Sequence, residues 1–402
     1  MSEWQEVTLN DIGLLARGKS KHRPRYAFHL YDGPYPFVQT GEIRSARKYI
    51  REYEKTYSEE GLKQSKLWKK GTLCITIAAN IAEIGILDFD ACFPDSVIGF
   101  VPDQTKADLD FIYYSLQHFQ KELKHRGEGS VQDNINLGTF NDMMFPLPEL
   151  EEQKAISAVL ASLDDKISLL HRQNKTLEAL TQTLFRHWFI DNAEDDWEEK
   201  PLSDIANVQN GYAFRSKDYV EYEPGHLEVF KMGHIEPGGG LRFAPKRDYI
   251  PRTKKLMRWV MDEGDIVMAM TDMKDSMGIL AHPAMIDKSD TYVLNQRVAR
   301  ISLKNDKYLP DNYLLYLQLA NHDTRALLQS MAHGGVQVNL STASIQSTPI
   351  IIPSKEELKE KFPVLKNHQN KMKANRKQIQ TLEKLRETLL PKLMSGEVRV
   401  AL

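Results

Sequence analysis

Clustered basic side chains, with amides on nearby loops, are the residues whose types and spacing could do chemistry here. That chemistry is recognition of a polyanion, without bond making or breaking. Lys19, Lys21, Arg23 and Arg25 alternate along one short segment; Arg44, Arg47, Lys48 and Arg51 form a second; Lys124, His125 and Arg126 form a third. Later in the chain stand Arg215 and Lys217, then Arg242, Lys246 and Arg247, then Arg252, Lys254, Lys255 and Arg258. Arginine and lysine suit phosphates or guanine edges, whereas glutamine and asparagine suit adenine edges. Gln132 and Asn134 in GEGSVQDNINL (127–137), and Gln337 and Asn339 in HGGVQVNL (333–340), occupy corresponding Gly-containing loops. These loops are expected to approach a nucleic acid most closely. Any single basic side chain in these clusters serves equally well as solvated surface, and Asn136 and Asn339 also suit turn caps.

Signatures of catalysis fail on inspection. GLLARGKS (13–20) fits G-x-x-x-x-G-K-S literally, but a phosphate cradle needs a helix after the loop, and KHRPRYAF follows instead. DGPY (32–35) is not the Asn/Asp-Pro-Pro-Tyr/Phe motif of amino-methyltransferases, having Gly33 where that motif has its first proline, and no Gly-rich cofactor loop precedes it. The twelve histidines are scattered without metal-ligand spacing. Cys74 and Cys92 are the only cysteines, too few for a disulfide framework or a Cys-built zinc site, and they read as small buried apolar residues. The expectation is a non-catalytic binding chain with no metal and no cofactor of its own.

The 402 residues are 41% hydrophobic and 27% charged, an ordinary globular balance with room for two or three domains. The net charge of −2 gives no global positive field, so a polyanion must meet local patches. Apolar runs are far shorter than the ~20 residues that span a bilayer. The opening MSEWQEVTLND lacks a basic-then-apolar leader pattern, so a cytoplasmic location is expected.

What must position the basic clusters is a framework that occurs twice. At a shift of 193, Trp4 meets Trp197, Glu6 meets Glu199, Leu9 meets Leu202, and Asp11-Ile12 meets Asp204-Ile205. Gly18, Tyr26, Phe37 and Gly71 meet Gly211, Tyr219, Phe230 and Gly264, and Gly85-Ile86-Leu87 meets Gly278-Ile279-Leu280. At 203, Asn136-Leu137 meets Asn339-Leu340 and Pro146 meets Pro349; at 205, QNKTLEALTQTL (173–184) meets QIQTLEKLRETL (378–389). Drift of this kind means loop insertions on a shared fold.

Each copy opens with short β-branched and aromatic runs, such as GTLCITIA (71–78), DIVMAMT (265–271) and YVLNQRVARIS (292–302), with helix at 109–123. Each closes with a long helix. In the first, Ile156, Leu160, Leu163, Ile167, Leu170, Leu177, Leu180 and Leu184 form an apolar stripe, with Asn174 at one seam position as a register residue. In the second, the stripe is Leu365, Met372, Ile379, Leu382, Leu385 and Leu389, and Pro363 suggests that its continuous part begins near there. The expected class is α+β: two homologous mainly-β domains (1–148 and 193–353), each followed by a spacer helix (149–192 and 354–402), the helices packing as an antiparallel coiled coil about a pseudo-two-fold. Trp4 and Trp197 read as packing anchors.

The Trp-x-x-x-x-Leu-x-Asp-Ile opening, the stretch IGILDFDACFPDSVIGF (84–100), the PLPELEEQKAI helix start (146–156) and the tail LEKLRETLLPKLMSGE (382–397) resemble the specificity subunits of Type I restriction–modification systems. The resemblance spans essentially the whole chain. It departs from that pattern at Pro363, where the first helix has Ala158. The resemblance implies two target-recognition domains, each reading one half of a split sequence in double-stranded DNA, with the helix pair as spacer ruler and docking site. Two modification (methyltransferase) subunits and restriction (motor-nuclease) subunits would be the partners, and S-adenosylmethionine, ATP and Mg would belong to them. Alternatives are a modification-only or Type II-like assembly, and a coiled-coil scaffold for protein partners.

Overall fold

A computed structural model describes residues 4–22, 24, 26–78, 81–128, 137–242 and 245–401, with the side chains at 121, 125–128 and 141 left aside. The chain divides into two compact units, Met1–His171 with Arg376–Leu402, and Arg172–Asn375.

In the first unit the main sheet runs in the order Gly13–Arg17, Val97–Pro102, Leu73–Thr76, Ile84–Leu87, Tyr49–Ile50. All neighbours are antiparallel except the last pair. Leu73–Thr76 and Ile84–Leu87 are buried at every position. Alternation explains this. Leu73, Ile75, Ile84 and Ile86 point into a core shared with helix Leu109–Glu128 and the long helices, while Cys74 and Leu87 point into a second core with Trp68 and Phe93. A strand covered on both faces reads as a continuous apolar run. Both cysteines are fully buried, and burial pushes their thiols above the ordinary range. A smaller sheet, ordered Lys55–Tyr57, Tyr31–Phe37, Ala91–Cys92, Leu67–Trp68, lies beside it. Gln5–Val7 pairs with Phe145–Leu147 beside the long helices.

The second unit repeats this plan: Ala206–Asn210, Val298–Leu303, Ile266–Ala269, Pro283–Met285 in the main sheet, Tyr249–Ile250, Leu227–Phe230, Tyr292–Leu294 in the smaller one, and Glu198–Pro201 on Pro349–Ile352. The run 292–302 is therefore two strands in two sheets, parted at Asn295-Gln296-Arg297. Strand pairing also corrects the register of the repeat. Ile75 pairs with Ile84 as Met268 pairs with Pro283, so 84–87 corresponds to 283–286, a shift of 199. Ala82 and Ala281, both buried with φ near +60° and both bonding back across the sheet, mark the same point. The Gly-Ile-Leu identity at 193 is coincidental. Phe145 and Ile350 likewise match at 205, so Pro146 does not correspond to Pro349.

The first long helix runs Leu150–Arg186, the second Lys355–Met394. Pro363 does not start the second helix; helical residues continue on both sides of it, anchored by Leu365 in the second unit's core. Within the first unit, Ile156 and Leu160 share a core with Leu389, Leu393 and Met394, and Ile167 and Leu170 pack with Ile379 and Leu382. Within the second, Leu177 and Leu184 share a core with Leu365 and Met372. Early residues of one helix thus meet late residues of the other, an antiparallel pairing. Leu163 is half-buried, whereas Leu180 and Leu385 point outward. Trp4 packs edge-on against Phe111 and donates to Glu152; Trp197 packs beside Phe189.

Asn174 accepts a 2.9 Å hydrogen bond from Asn375, which is 1% exposed, so the polar seam position is a pair. Asn174→Ala leaves the buried Asn375 amide only a long 3.5 Å contact to Gln173 and is expected to cost about 1–3 kcal/mol. Replacing both by leucine is expected to be near neutral, because no unpaired polar group remains. Denaturant unfolding of the two variants checks the contrast.

Candidate nucleic-acid interface

In the first unit, strand Gly13–Arg17 ends in a segment that lies along the smaller sheet. The Gly18 and Lys19 amides donate to the Val97 and Phe93 carbonyls, the Lys19 carbonyl accepts from the Ser65 hydroxyl, and the His22 amide donates to Gln64. Buried Ser20 faces Tyr57, so Lys19 and Lys21 on either side point to solvent. This is the G-x-x-x-x-G-K-S match. Its leading amides are occupied by backbone carbonyls and no helix follows directly, so it holds no phosphate cradle. The same sheet presents two lysines that cluster counting misses: Lys66 lies 3.6 Å over the Trp68 ring, and Lys55 lies 5.4 Å over Tyr26. Lys55 is hidden in sequence between acidic residues, Glu52 and Glu54 before it and Glu59 and Glu60 after it, and only the fold brings it to the basic segment.

The cluster at 44–51 divides. Arg44 sits exposed at the end of helix Thr40–Ser45, and exposed Arg51 pairs with Asp88 at 3.1 Å. Lys48 does not face solvent. It is 9% exposed, bonded to Asp110 at 2.9 Å and placed over the rings of Tyr49, Tyr113 and Tyr114. Strand pairing of Tyr49–Ile50 turns it inward, so it is structural. Arg47 lies close to Glu383, Arg386 and Asp164 of the helix pair, and desolvation there lowers its pKa. Arg23, Arg25, Gln132 and Asn134 lie outside the described residues, as does the Arg126 side chain.

In the second unit the fold joins clusters that are distant in sequence. The turn Lys254–Trp259 packs on the segment after Gly211: Lys255 donates to the Tyr212 hydroxyl at 3.0 Å, Trp259 donates to the Asn210 carbonyl, and the Arg258 guanidinium lies 4.2 Å over the Trp259 ring. Arg300, read in sequence only as part of a strand, braces this turn by donating to the Val260 carbonyl and to Gln209. Arg215, Lys217, Lys254, Lys255 and Arg258 are exposed on this joined surface. Along 242–252, Lys246 is exposed, but Arg242 pairs with Glu236 at 3.1 Å, Arg247 lies 3.7 Å from the buried Glu228, and Arg252 pairs with Asp290 at 2.6 Å. Gln337 and Asn339 occupy a strand, not a loop. Gln337–Asn339 pairs with Thr271–Met273 and His333–Gly334, burying Val338 and leaving its two neighbours outward. Asn339 accepts from the Thr271 hydroxyl at 2.9 Å, and Val336 at the tip is 78% exposed.

Each unit therefore offers exposed cations beside aromatic rings on a braced turn, a surface suited to phosphates and base faces. Lys19→Ala and Lys21→Ala are each expected to lower the log–log salt slope of duplex DNA binding by about one. Lys48→Ala is expected to leave that slope unchanged while costing about 1–3 kcal/mol of stability, because Asp110 loses its partner. Binding titrations across salt, with denaturant unfolding, separate the two behaviours. Among the described residues, no cluster of metal-ligating side chains occurs and no helix is long and apolar enough to cross a membrane.

Comparison with known proteins places this architecture. The family model of the Type I restriction modification DNA specificity domain matches twice, over residues 1–179 and 194–384. The MjaVIII specificity subunit of Methanocaldococcus jannaschii, a Type I restriction enzyme component, is 24% identical over 99% of this chain and 93% of its own. The HindI specificity subunit of Haemophilus influenzae is 21% identical over 99% and 100% respectively. The crystal structure of a Type I restriction–modification S subunit from M. genitalium superposes with a TM-score of 0.55 at 15% identity, covering 97% of this chain and 96% of that one.

Proposed function

We propose that this chain, which belongs to the Type I restriction modification DNA specificity family, is the subunit that selects the DNA sequence for such a complex. One observation supports this most strongly. Two units sharing the order of four main-sheet strands each deliver a basic turn past an equivalent close-packed glycine, Gly18 or Gly211, while the segments beyond differ in sequence, KSKHRPRYAF (19–28) against YAFRSKDYVE (212–221). A shared frame with divergent loops is the arrangement for two different half-sites.

Each unit reads one half of a bipartite double-stranded target. The long helices, at ~1.5 Å per residue, set the spacer and dock two modification subunits. Restriction subunits complete the complex. The chain itself is non-catalytic; S-adenosylmethionine, ATP and magnesium act in the partners. The proposed location is the cytoplasm, where the DNA and those partners are found.

Methylome sequencing tests this, comparing a host carrying the gene and its neighbouring modification gene with a strain deleted for it. Loss of methylation at one split motif of two short half-sites around a fixed spacer is the expected result. Survival of every methylated motif would overturn it.

A further inference from the structure

The most exposed large hydrophobic side chain among the described residues is Phe28, at 94%, with Tyr26 at 74% close by in sequence. Its backbone is firmly held. Phe28 opens the turn Phe28–Leu30, whose Leu30 is buried with Phe37 and Tyr57. Ser58 grips the turn twice, donating its hydroxyl to the His29 carbonyl at 2.6 Å and its amide to the Leu30 carbonyl at 2.9 Å. A braced backbone holding a phenyl ring in water leaves a large apolar surface for something to cover.

The charge around it indicates what that is. Residues 12–31 contain five Lys or Arg and no Asp or Glu. Lys19 and Lys21 are exposed, and Lys55 sits over both Tyr26 and Tyr31. An apolar ring among cations complements a nucleic acid, which offers flat base faces between phosphates. The second unit differs at this place: its exposed ring, Tyr222 at 62%, stands between Glu221 and Glu223 and packs against Tyr249, so it lies among acids, not cations. There the residue corresponding to Tyr26 is Tyr219, half-buried with Lys231 4.1 Å from its ring, and the residue corresponding to Phe28 is Glu221.

We propose that Phe28, flanked by Tyr26, is a stacking wedge that enters a base step of the half-site read by the first unit, and that the second unit reads its half-site without one. This rests on the DNA-reading function proposed above. The first half-site is then distorted locally and the second is not.

The test uses the full chain with its neighbouring modification subunit, on the duplex defined by the methylome. Phe28→Ala is expected to weaken binding about 5- to 150-fold, the range of one lost base–aromatic stack. The salt slope should not change, because no cation is removed. Phe28→Trp should restore affinity. Removing a base at the wedge step in the first half-site should abolish the difference between wild type and Phe28→Ala; removing one in the second should not. Wild-type affinity in Phe28→Ala would overturn the proposal. So would a loss of modification-subunit assembly in that variant, since a protein partner then covers the ring. Failure of the wild-type complex to discriminate the duplex from a scrambled one would instead remove the DNA-reading function, and the wedge with it.

Discussion

Gly211→Ala is expected to destabilise the second unit by about 2–4 kcal/mol, and Gly18→Ala the first by a similar amount. An added Cβ at Gly211 would stand 2.2 Å from the Asn295 carbonyl oxygen and 2.4 Å from that of Leu294; at Gly18 it would stand 2.3 Å from the Phe93 carbonyl oxygen and 2.4 Å from that of Pro94. These neighbours are backbone, so no side-chain rotation relieves the contact. The glycines sit where the outer strand hands the chain to the basic turn, and the turn is held by bonds made at that crossing: Gly18 amide to Val97 carbonyl, Tyr212 amide to Leu294 carbonyl. Forcing the crossing apart moves Lys19 and Lys21, or Arg215 and Lys217, off their bracing. DNA affinity should therefore fall with stability, and for one half-site only in each variant. Gly41→Ala is the control, since it lies in helix Thr40–Ser45 with open space around it and alanine is the better helix former. Unfolding curves for the three variants check this; a Gly211→Ala protein as stable as wild type would contradict it.

Those two glycines show what the sequence makes legible. A position needed by the frame in both copies survives as an identity at a fixed shift, as Trp4 and Trp197 and the Asp-Ile pairs do. Apolar runs reveal strands because burial on both faces demands them. Three things escape. A loop difference of six residues between Thr76 and Ala82, against Ala269 and Ala281, moves the register, and a chance Gly-Ile-Leu match conceals it. Charge counting cannot tell which way a strand turns its lysine, so Lys48 reads like Arg51 although Asp110, far along the chain, claims it. Nor does any local pattern expose a ring such as Phe28, whose exposure follows from where Leu30 and Ser58 hold its backbone.

Asp164→Ala is expected to cost the first unit about 2–4 kcal/mol, through a network no spacing rule connects. Its carboxylate accepts from the Tyr114 hydroxyl and from Arg386, each at 2.7 Å, joining helix Leu109–Glu128 to both long helices. Burial first, then Asp164, pushes Tyr114 above the ordinary tyrosine range, so it remains a neutral donor at all physiological pH. Removing the acceptor leaves a buried hydroxyl and a largely buried guanidinium unpaired. Glu383 nearby works in the opposite direction. Burial raises its pKa, opposed by Arg386 and Arg47, so the folded state holds its proton more tightly than the unfolded chain does. Its contribution is favourable at acid pH and fades as pH rises through the carboxylate range. Glu383→Gln should therefore be neutral or stabilising at pH 7 and should remove that part of the pH dependence. The second unit supplies the decisive comparison. The residues corresponding to Tyr114, Asp164 and Arg386 are Leu317, Gln369 and Thr181, all buried and none charged. The frame accepts either solution, although the neutral one leaves the Gln369 side-chain oxygen without a hydrogen-bond partner, because replacing a buried ion pair by neutral side chains of similar volume is often close to neutral in stability. The triple variant Tyr114→Leu, Asp164→Gln, Arg386→Thr is thus expected to recover most of what Asp164→Ala loses. Equal loss in the single and triple variants would mean that the charges hold this unit in a way its sister does not need.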